Sequence, residues 1–388
     1  MGKITHKDAA DMSTSHKVSE DEWKANATHL DSQGNALELS RSAALVVAAN
    51  DSSAKGKAGA DYVCDGTADE VEINAALATA ADKDVLCLAG TYYINAPVTI
   101  TVSTVGLRES LTFADGAVII PSADVDLFRV NAWGCLRGGI VRADSFAGYT
   151  STVITAGQRN CLVENMELRG TEGTGTGTAI KLAPYTTATV AYNRFDSITI
   201  YGFEYGILLD NGAQVNYYNT FTHIYGTKVV HFIREAKGAG DMHANWYEFS
   251  YQAFGDGNDT QPVLYIAGRY NRIIGIHIAD FNGATSVEVL SGSDYNMFDI
   301  RGGATWSRIS NSGSYNTFFL GDAVFLVNRF GLNIVPQYPQ AHIADLKTNF
   351  VNTDVDSAAE IASALNTAFT KVNTLLADLE GFGFLLTP

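Results

Sequence analysis

Charged residues are scarce in this chain, at 18% of 388 residues, and proline is scarce too, with 7 residues. Long solvent-exposed helices need many charged side chains, so this composition does not favour them. Glycine, tyrosine and phenylalanine are plentiful instead, with 36, 18 and 19 residues, which is typical of strands joined by many turns. The net charge is −16, and repulsion from phosphate therefore argues against a nucleic-acid partner.

Long apolar stretches are scarce as well. The opening residues, MGKITHKDAADMS, lack an apolar stretch, and we expect no secretory signal peptide. No window reaches the roughly 18 apolar residues of a membrane span, so we expect no membrane insertion. No pair of cysteines has CxxC or zinc-type spacing. We expect four reduced, buried side chains at Cys64, Cys87, Cys135 and Cys161.

Common catalytic and cofactor motifs do not occur. The sequence has no GxSxG, HExxH or P-loop pattern, and no GxGxxG between a strand and a helix. GTGTGT at 173–178 indicates a surface loop, and the single GDGNDT at 255–260 indicates a turn rather than a stacked calcium site. We therefore expect neither a cofactor nor a bound metal.

A tetrapeptide of the form Tyr-Asn-x-Phe recurs along the chain. It occurs as YNTF at 218–221 and 315–318, YNRF at 192–195, YNRI at 270–273 and YNMF at 295–298. From Asn193 to Asn316, counting Asn245 of the variant ANWY, successive asparagines are 26, 26, 26, 25 and 20 residues apart. Asn160 of RNCL precedes Asn193 by 33 residues, and a Gly-Thr-rich insertion explains the longer step. Such a period indicates a repeat architecture.

Each unit contains two short apolar segments separated by Gly, Asn, Asp or Ser, which predicts strands of three to five residues and turns. Helical apolar spacing is absent, the period is too short for a propeller blade, and the leucine-rich-repeat consensus does not occur. The remaining candidate is an all-β fold, the single-stranded parallel β-helix. Each unit would be one coil, and adjacent coils would lie about 4.8 Å apart.

The repeated asparagine falls at a strand boundary, where its tolerance of the left-handed conformation suits a tight corner. Stacked side-chain amides can also hydrogen-bond along a ladder, and the aromatic residue two positions later would point into the core. We predict one buried column with a structural role, formed by Asn160, Asn193, Asn219, Asn245, Asn271, Asn296 and Asn316.

A capping helix is predicted at about 67–81, before the first regular coils. Thr67 and Glu70 form a capping-box pattern, and apolar residues with helical spacing follow. Such a helix could cover the open end of a β-helix, whose first coil otherwise exposes strand edges.

The stretch DGTADEVEINAAL, followed by VLCLAGTYYI, resembles the opening of the pectate-lyase-like (pectin-lyase-like) superfamily of right-handed parallel β-helices. The likeness is greatest to the branch found in bacteriophage tailspikes and tail fibres. It implies right-handed winding and three-fold association. The signatures of polygalacturonase-type members and the calcium-binding aspartates of pectate lyases have no match here, so no catalytic residue carries over.

The C-terminal region has a different character. After Pro336 and Pro339, apolar residues from 358 to 379 follow heptad steps, which fits either a helix packed on the β-helix or a short coiled coil. With the resemblance, we predict a helical trimerisation stem at 336–388. It would follow a β-helix at 61–335 and a polar attachment segment and linker at 1–60.

Three acids have similar offsets from the asparagine of their own coil: Glu204, Asp256 and Asp280. Equivalent offsets stack along one edge, which would place Asp256 and Asp280 on the order of 5 Å apart. Paired carboxylates at such separations suit glycosidases, and solvated turn acids are the alternative. His223, His231 and His243 share no offset, which argues against a metal cluster.

These observations and the resemblance lead to one expected function. The protein would be a homotrimeric, tailspike- or fibre-like virion surface protein, made in the host cytoplasm, that recognises a host cell-surface polysaccharide. Its N-terminal segment would contact other virion proteins. Two alternatives remain: a polysaccharide depolymerase, either hydrolase or lyase, on the same scaffold, and a structural decoration or appendage subunit without a ligand.

Overall fold

The computed structural model describes residues 45–80, 84–101, 108–171, 176–184, 189–252, 262–279, 287–302, 309–320, 323–327 and 333–334. Within them the chain is an all-β parallel β-solenoid, in which strands from successive repeats pair side by side. The predicted parallel stacking of coils is therefore confirmed. Among the described residues, no helix has the length and apolar character to span a membrane.

The strands, numbered in chain order, form three sheets. Sheet 1 contains β1 (Leu45–Ala48), β2 (Tyr62–Val63), β3 (Asp84–Cys87), β4 (Gly90–Ile94), β6 (Glu109–Phe113), β7 (Ala117–Pro121), β9 (Gly134–Arg137), β10 (Ile140–Arg142), β12 (Leu162–Arg169), β15 (Arg194–Tyr201), β18 (Thr220–Thr227), β21 (Trp246–Gln252), β23 (Arg272–Ala279), β25 (Met297–Gly302), β27 (Asn316–Leu320), β28 (Ala323–Val327) and β29 (Asn333–Ile334). Sheet 2 contains β5 (Val98–Ile100), β8 (Phe128–Val130), β11 (Thr152–Ala156), β13 (Thr178–Leu182), β16 (Tyr205–Asp210), β19 (His231–Ala236), β22 (Leu264–Ile266), β24 (Val287–Val289) and β26 (Ile309–Asn311). Sheet 3 contains β14 (Val190–Ala191), β17 (Asn216–Tyr217) and β20 (Met242–His243).

The register of the strands reproduces the sequence period. Arg194 pairs with Thr220 in sheet 1, Tyr205 with His231 in sheet 2, and Val190 with Asn216 in sheet 3. Each pair is one 26-residue repeat apart, so the chain visits the three sheets in turn and returns one strand spacing further along.

The core consists of apolar side chains that stack from coil to coil inside the sheets. The rings of Phe195 and Phe221 are parallel at 4.8 Å, and Tyr247 continues this stack at 5.1 Å from Phe221. Phe298 and Phe318 stack at 4.5 Å further along. Each fully buried ring contributes roughly 1.5–3 kcal/mol from apolar burial, so the stacks account for much of the cohesion between coils.

The solenoid begins before the expected boundary at residue 61. Strand β1 pairs in parallel with β2 and β3, because LVVA is an apolar strand segment within a stretch that is polar on average. Residues 54–58, which composition suggests to be linker, form the short helix α1 (Ala54–Ala58). All four cysteines are free and buried, as expected from their spacing.

Helix α2 (Glu70–Thr79) lies inside the range predicted for a helix. Its residues Ile73, Ala76 and Leu77 are buried in the core. The predicted capping box is absent: the N-cap residue is Asp69, the Thr67 hydroxyl donates to Asp65, and the Glu70 carboxylate accepts from the backbone N–H of Asn95. The tertiary hydrogen bond to Asn95 takes the place of the local one.

The chain reverses direction after the last parallel coil. Strand β28 pairs antiparallel with β27, and β29 pairs antiparallel with β28. The predicted stem at 336–388 and the first 44 residues of the predicted attachment segment lie outside the described residues.

Candidate functional site

Six of the repeated asparagines form one buried column at the corner that leads into sheet 1. The Oδ1 atom of each of the last five accepts the backbone N–H of the asparagine one coil earlier, at 2.8–3.1 Å. The members of this asparagine ladder are Asn193, Asn219, Asn245, Asn271, Asn296 and Asn316. At the corner, backbone N–H groups have no carbonyl partner in the sheets. The ladder supplies acceptors for them, so its role is structural.

Asn160 is not in this column. Leu162 pairs with Arg194, so the position that corresponds to Asn193 is Cys161, whose backbone N–H donates to Asn193 Oδ1 at 2.8 Å. The motif RNCL is therefore offset by one residue from YNRF. Asn160 aligns with Tyr192 instead, and it is the one repeated asparagine with a positive φ, 61°.

The residue before each ladder asparagine makes the left-handed turn, so the prediction that the asparagine does so is wrong. The tyrosines at this position have φ between 54° and 60°. A bulky residue rarely adopts this conformation, and here the ladder hydrogen bonds on the following residue fix it. The left-handed tyrosines project outward and are 41–55% exposed. We call Tyr192, Tyr218, Tyr270, Tyr295 and Tyr315 the tyrosine column.

The rings of the tyrosine column stack on one another along the solenoid surface. Tyr192 and Tyr218 are 5.4 Å apart between ring centroids, Tyr270 and Tyr295 are 5.1 Å apart, and Tyr295 and Tyr315 are 4.8 Å apart. These separations equal the spacing of the coils, so the column presents rings held in place by the backbone.

Ala244 interrupts the column between Tyr218 and Tyr270. It has the same left-handed backbone, with φ 56°, but carries no ring. His243 lies beside it in sheet 3, stacks flat on Tyr217 at 5.2 Å and meets the Tyr218 ring edge-on at 6.0 Å. The gap beside Ala244 is thus bordered by aromatic side chains.

An exposed indole follows this corner in the chain. Trp246 lies two residues after Ala244. Its side chain is 38% exposed, and among the described residues it is the one tryptophan that is exposed. The guanidinium of Arg272 lies over its ring at 4.6 Å, a cation–π contact that orients the indole.

Charged groups complete this part of the surface. Arg269 Nη2 donates to both oxygens of Asp241, at 3.0 and 2.9 Å. His243 Nδ1 is 3.1 Å from Asp241 Oδ2 but out of line for a hydrogen bond, and Arg269 Nε also makes none. Burial raises the pKa of Asp241, but the hydrogen bond and charge of Arg269 outweigh it, so the pKa lies below its ordinary value. Asp241 is therefore ionised at neutral pH.

Glu204, one of the three predicted acids, immediately precedes β16 and is half-buried. The neighbouring Tyr205 ring stacks on His231 at 5.4 Å, and Arg234 lies over Tyr205 at 5.5 Å. Burial and a hydrogen bond to Glu204 raise the pKa of Tyr205, whereas burial lowers the pKa of His231. Asp256 and Asp280 lie outside the described residues. His223, another of the three histidines that share no offset, hydrogen-bonds to Asp196 at 2.8 Å on an exposed surface.

Sequence reasoning missed a buried carboxylate, Glu235. It accepts hydrogen bonds from Tyr247 Oη at 2.7 Å, from the backbone N–H of Gly268 at 2.7 Å and of Ala267 at 3.0 Å, and from Asn271 Nδ2 at 3.2 Å. Burial raises the pKa of Glu235 despite these bonds. Because the group is wholly enclosed, it links sheet 2 to the asparagine ladder and does not face a substrate.

One group of side chains has the composition of a metal site. Atoms of Cys64, Asp69 and Glu72 lie within 4.8 Å of one another. However, the Asp69 oxygens accept the backbone N–H groups of Gly66 and Tyr93, both at 2.8 Å. Burial also raises the pKa of the Cys64 thiol, which favours the neutral form that metals bind poorly. We assign no metal to this group.

The tyrosine column could have been found from the sequence, because tyrosine precedes the asparagine in five of the repeats. The repeat alone does not say which residue of the Tyr-Asn pair makes the turn. The charged and aromatic surroundings of Ala244 have no such period and become neighbours only through the coil register. Comparisons of the chain with protein-family models, with curated proteins and with solved structures found no match.

Proposed function

We propose that the protein is a glycan-binding surface protein, and the tyrosine column is the observation that carries this proposal. Five half-exposed tyrosines lie in register on one corner of a rigid solenoid. A monomeric protein rarely leaves a row of large aromatic rings at its surface without a partner for them. Within the stacked parts of the column, the outward ring edges and phenol hydroxyls can contact and bond to a sugar. At Tyr218 and Tyr270, where the stack is interrupted, a ring face can also pack against the C–H face of a sugar ring.

Rigidity favours this role. The tyrosine backbone is fixed by its left-handed conformation and by the asparagine ladder below it, so little conformational entropy is lost when a ligand binds. A linear polysaccharide that runs along the solenoid would meet successive rings at the coil spacing of about 4.8 Å. Such a surface recognises a repeating polymer better than a single small molecule.

The test is binding to bacterial surface polysaccharides on a glycan array, with the affinity of any positive measured by calorimetry. The double variant Tyr295→Ala/Tyr315→Ala should weaken binding at least tenfold. Tyr93→Ala removes a tyrosine that is 37% exposed and lies outside the column, and it is the matched control. Unchanged affinity of the double variant, or equal losses in both proteins, would remove the support for the column.

The proposal includes the setting that the sequence resemblance implies: a right-handed, tailspike- or fibre-like protein of a bacteriophage virion, trimeric and attached through its N-terminal segment to other virion proteins. The host polysaccharide would then be its receptor. Light scattering tests the trimer, since the chain mass is 41.6 kDa and a stable monomer contradicts it. A protein that joins particles but binds no glycan would instead be a structural subunit.

Cleavage of the same polymer is a second candidate, favoured by the position of Glu204 beside the stacked Tyr205 and His231. In this proposal Glu204 acts with Asp256 or Asp280 as a pair of catalytic carboxylates. Release of reducing ends from a bound polysaccharide is the assay. Glu204→Gln should lower it at least a hundredfold, and so should one of Asp256→Ala and Asp280→Ala. Full activity in Glu204→Gln, or in both aspartate variants, excludes the pair.

A further inference from the structure

The geometry points to a discrete sugar-binding site at the interruption of the tyrosine column. We propose that one pyranose ring inserts beside Ala244, between the rings of Tyr218 and Tyr270. This inference rests on the proposed glycan binding and goes further, because it names the one level of the solenoid at which a sugar ring is held on both faces.

The width of the gap is set by the coil register. Thr220 pairs with Trp246, and Trp246 pairs with Arg272, so Tyr218, Ala244 and Tyr270 occupy equivalent positions on three successive coils. Tyr218 and Tyr270 are therefore two strand spacings apart, roughly 10 Å. Elsewhere in the column a tyrosine fills the corresponding level, with its neighbours 4.8–5.4 Å away.

This width selects among possible occupants. A flat aromatic ring in van der Waals contact on both sides needs about 7–8 Å between the flanking rings. A puckered pyranose carries C–H groups on both faces and is thicker, so it fills the space more completely. Both flanking tyrosines are about half-exposed, at 49% and 55%, so the outer side of the gap lies at the protein surface.

The polar groups at the side of the gap match hydroxyls. His243 forms one wall, and Asp241 and Arg269 pair behind it. Two nitrogen atoms there, His243 Nδ1 and Arg269 Nε, have no hydrogen-bond partner within the described residues, although they are shielded from solvent. The side chains of Arg269 and Asp241 are 41% and 36% exposed, so a hydroxylated ring can bond to the outer atoms of this pair, whereas an aromatic hydrocarbon ring cannot.

Trp246 is an optical reporter close to the site in the chain. Its exposed indole lies two residues after Ala244 and is held by Arg272. A sugar bound in the gap would change the solvent contact of this indole. Quenching or enhancement of its fluorescence should therefore follow occupancy, and Trp246→Phe should remove the change in emission.

The decisive variant is Ala244→Tyr, which fills the gap and completes the column. Tyrosine already occupies the same left-handed backbone at the neighbouring coils, so the variant should fold with an undiminished Tm. The probes are the polysaccharide that binds best on the array and a panel of methyl glycosides of glucose, galactose, mannose and N-acetylglucosamine. We expect affinity to fall at least tenfold, even though the exposed aromatic surface increases.

Ala244→Ser is the matched control, because it keeps the gap open, and it should bind within threefold of the wild type. If Ala244→Tyr does not fold, Tyr270→Leu is compared with Tyr315→Leu. The first removes a ring that faces the gap and the second a ring at the far end of the column, so the loss of affinity should be several times larger for Tyr270→Leu, and equal losses would rule out the gap as the site.

If folded Ala244→Tyr binds as well as the wild type or better, the gap is not the site, and only the column as a whole remains as the binding surface. If the wild type binds none of the polysaccharides or glycosides, the inference and the proposed function both fail.

Discussion

Asn219 Oδ1 accepts two hydrogen bonds from Asn193, one from its backbone N–H at 3.1 Å and one from its side-chain amide at 2.9 Å. The same arrangement recurs between Asn219 and Asn245, with both bonds again directed along the solenoid axis. Each coil is thus tied to the next through a single side chain that is shielded from water. The corner exposes tyrosine to solvent only because this ladder holds the backbone below it.

Removal of one ladder side chain should therefore destabilise the protein well beyond the loss of a surface contact. Asn219→Ala leaves the buried backbone N–H of Asn193 without an acceptor, at a cost of about 2–4 kcal/mol in the free energy of unfolding. Denaturant titration measures it. Asn160→Gly is the matched control, since Asn160 lies outside the ladder and glycine accepts its positive φ. Equal losses in the two variants would contradict the ladder's role.

Completion of the tyrosine column should stabilise the fold. Ala244→Tyr adds ring contacts with Tyr218 and Tyr270 at a backbone conformation that its neighbours already adopt, and each stacked pair is worth about 0.5–1.5 kcal/mol. We expect a higher Tm by differential scanning calorimetry. Ala244→Ser, which adds no ring, should leave Tm within about a degree. A lower Tm for the tyrosine variant would show that another side chain fills this space.

Glu235 should make stability depend on pH. Burial raises the pKa of this carboxyl above its ordinary 4.5 in the folded protein. A raised pKa means that the contribution to stability is complete below the unfolded value and is lost as the pH rises through the folded value. Glu235→Gln does not titrate and can keep the bond to Tyr247. The wild type should therefore lose stability relative to the variant above pH 4.5, by at most about 1.4 kcal/mol per pH unit.

Denaturant titrations of both proteins between pH 4 and pH 8 provide the measurement. Parallel curves for the two proteins would mean that the carboxyl is ionised in the folded state across the whole range, held so by its four hydrogen bonds.

Gly226 should not tolerate a side chain. A Cβ at this buried position would collide with the ring of Phe232, which is fully enclosed. Gly226→Ala should lower the free energy of unfolding by about 1–3 kcal/mol, the usual cost of overpacking. At Gly292, which has φ 78° and open space around it, asparagine should be accepted within about 0.5 kcal/mol. A neutral Gly226→Ala would show that the ring can move aside.

The coil repeat could be predicted because the same short motif recurs at a nearly constant interval in the sequence. The spacing of 26 between Asn193 and Asn219 is also the strand register of sheet 1. At RNCL, which has neither the tyrosine nor an aromatic residue two positions after the asparagine, the predicted alignment is wrong by one residue. ANWY keeps the later aromatic residue, Tyr247, and its Asn245 lies in the ladder as predicted. Conformational propensity alone favours asparagine for the left-handed conformation. In the structure the ladder hydrogen bonds hold the asparagine in place, and the tyrosine before it adopts that conformation.

The site was harder to predict than the fold. Asp241, His243 and Arg269 come from two coils and become neighbours only when the register is known. Glu235 reaches Asn271 across the core, a contact between sheet 2 and the corner that no local pattern encodes. Ala244 is visible in the sequence only as a missing tyrosine.

A stack of like parallel rungs has no inherent length, and its last strand is a template on which another chain could continue, as in a fibre. The chain reversal between β27 and β28 changes this end of the stack. β28 follows the last parallel strand, β27, and runs antiparallel to it. Its outer edge therefore offers a different pattern of hydrogen-bond donors and acceptors. A second solenoid stacked on this end would therefore meet an antiparallel edge instead of another parallel rung. The turn between two short strands thus changes the edge that the described stack presents to a neighbour.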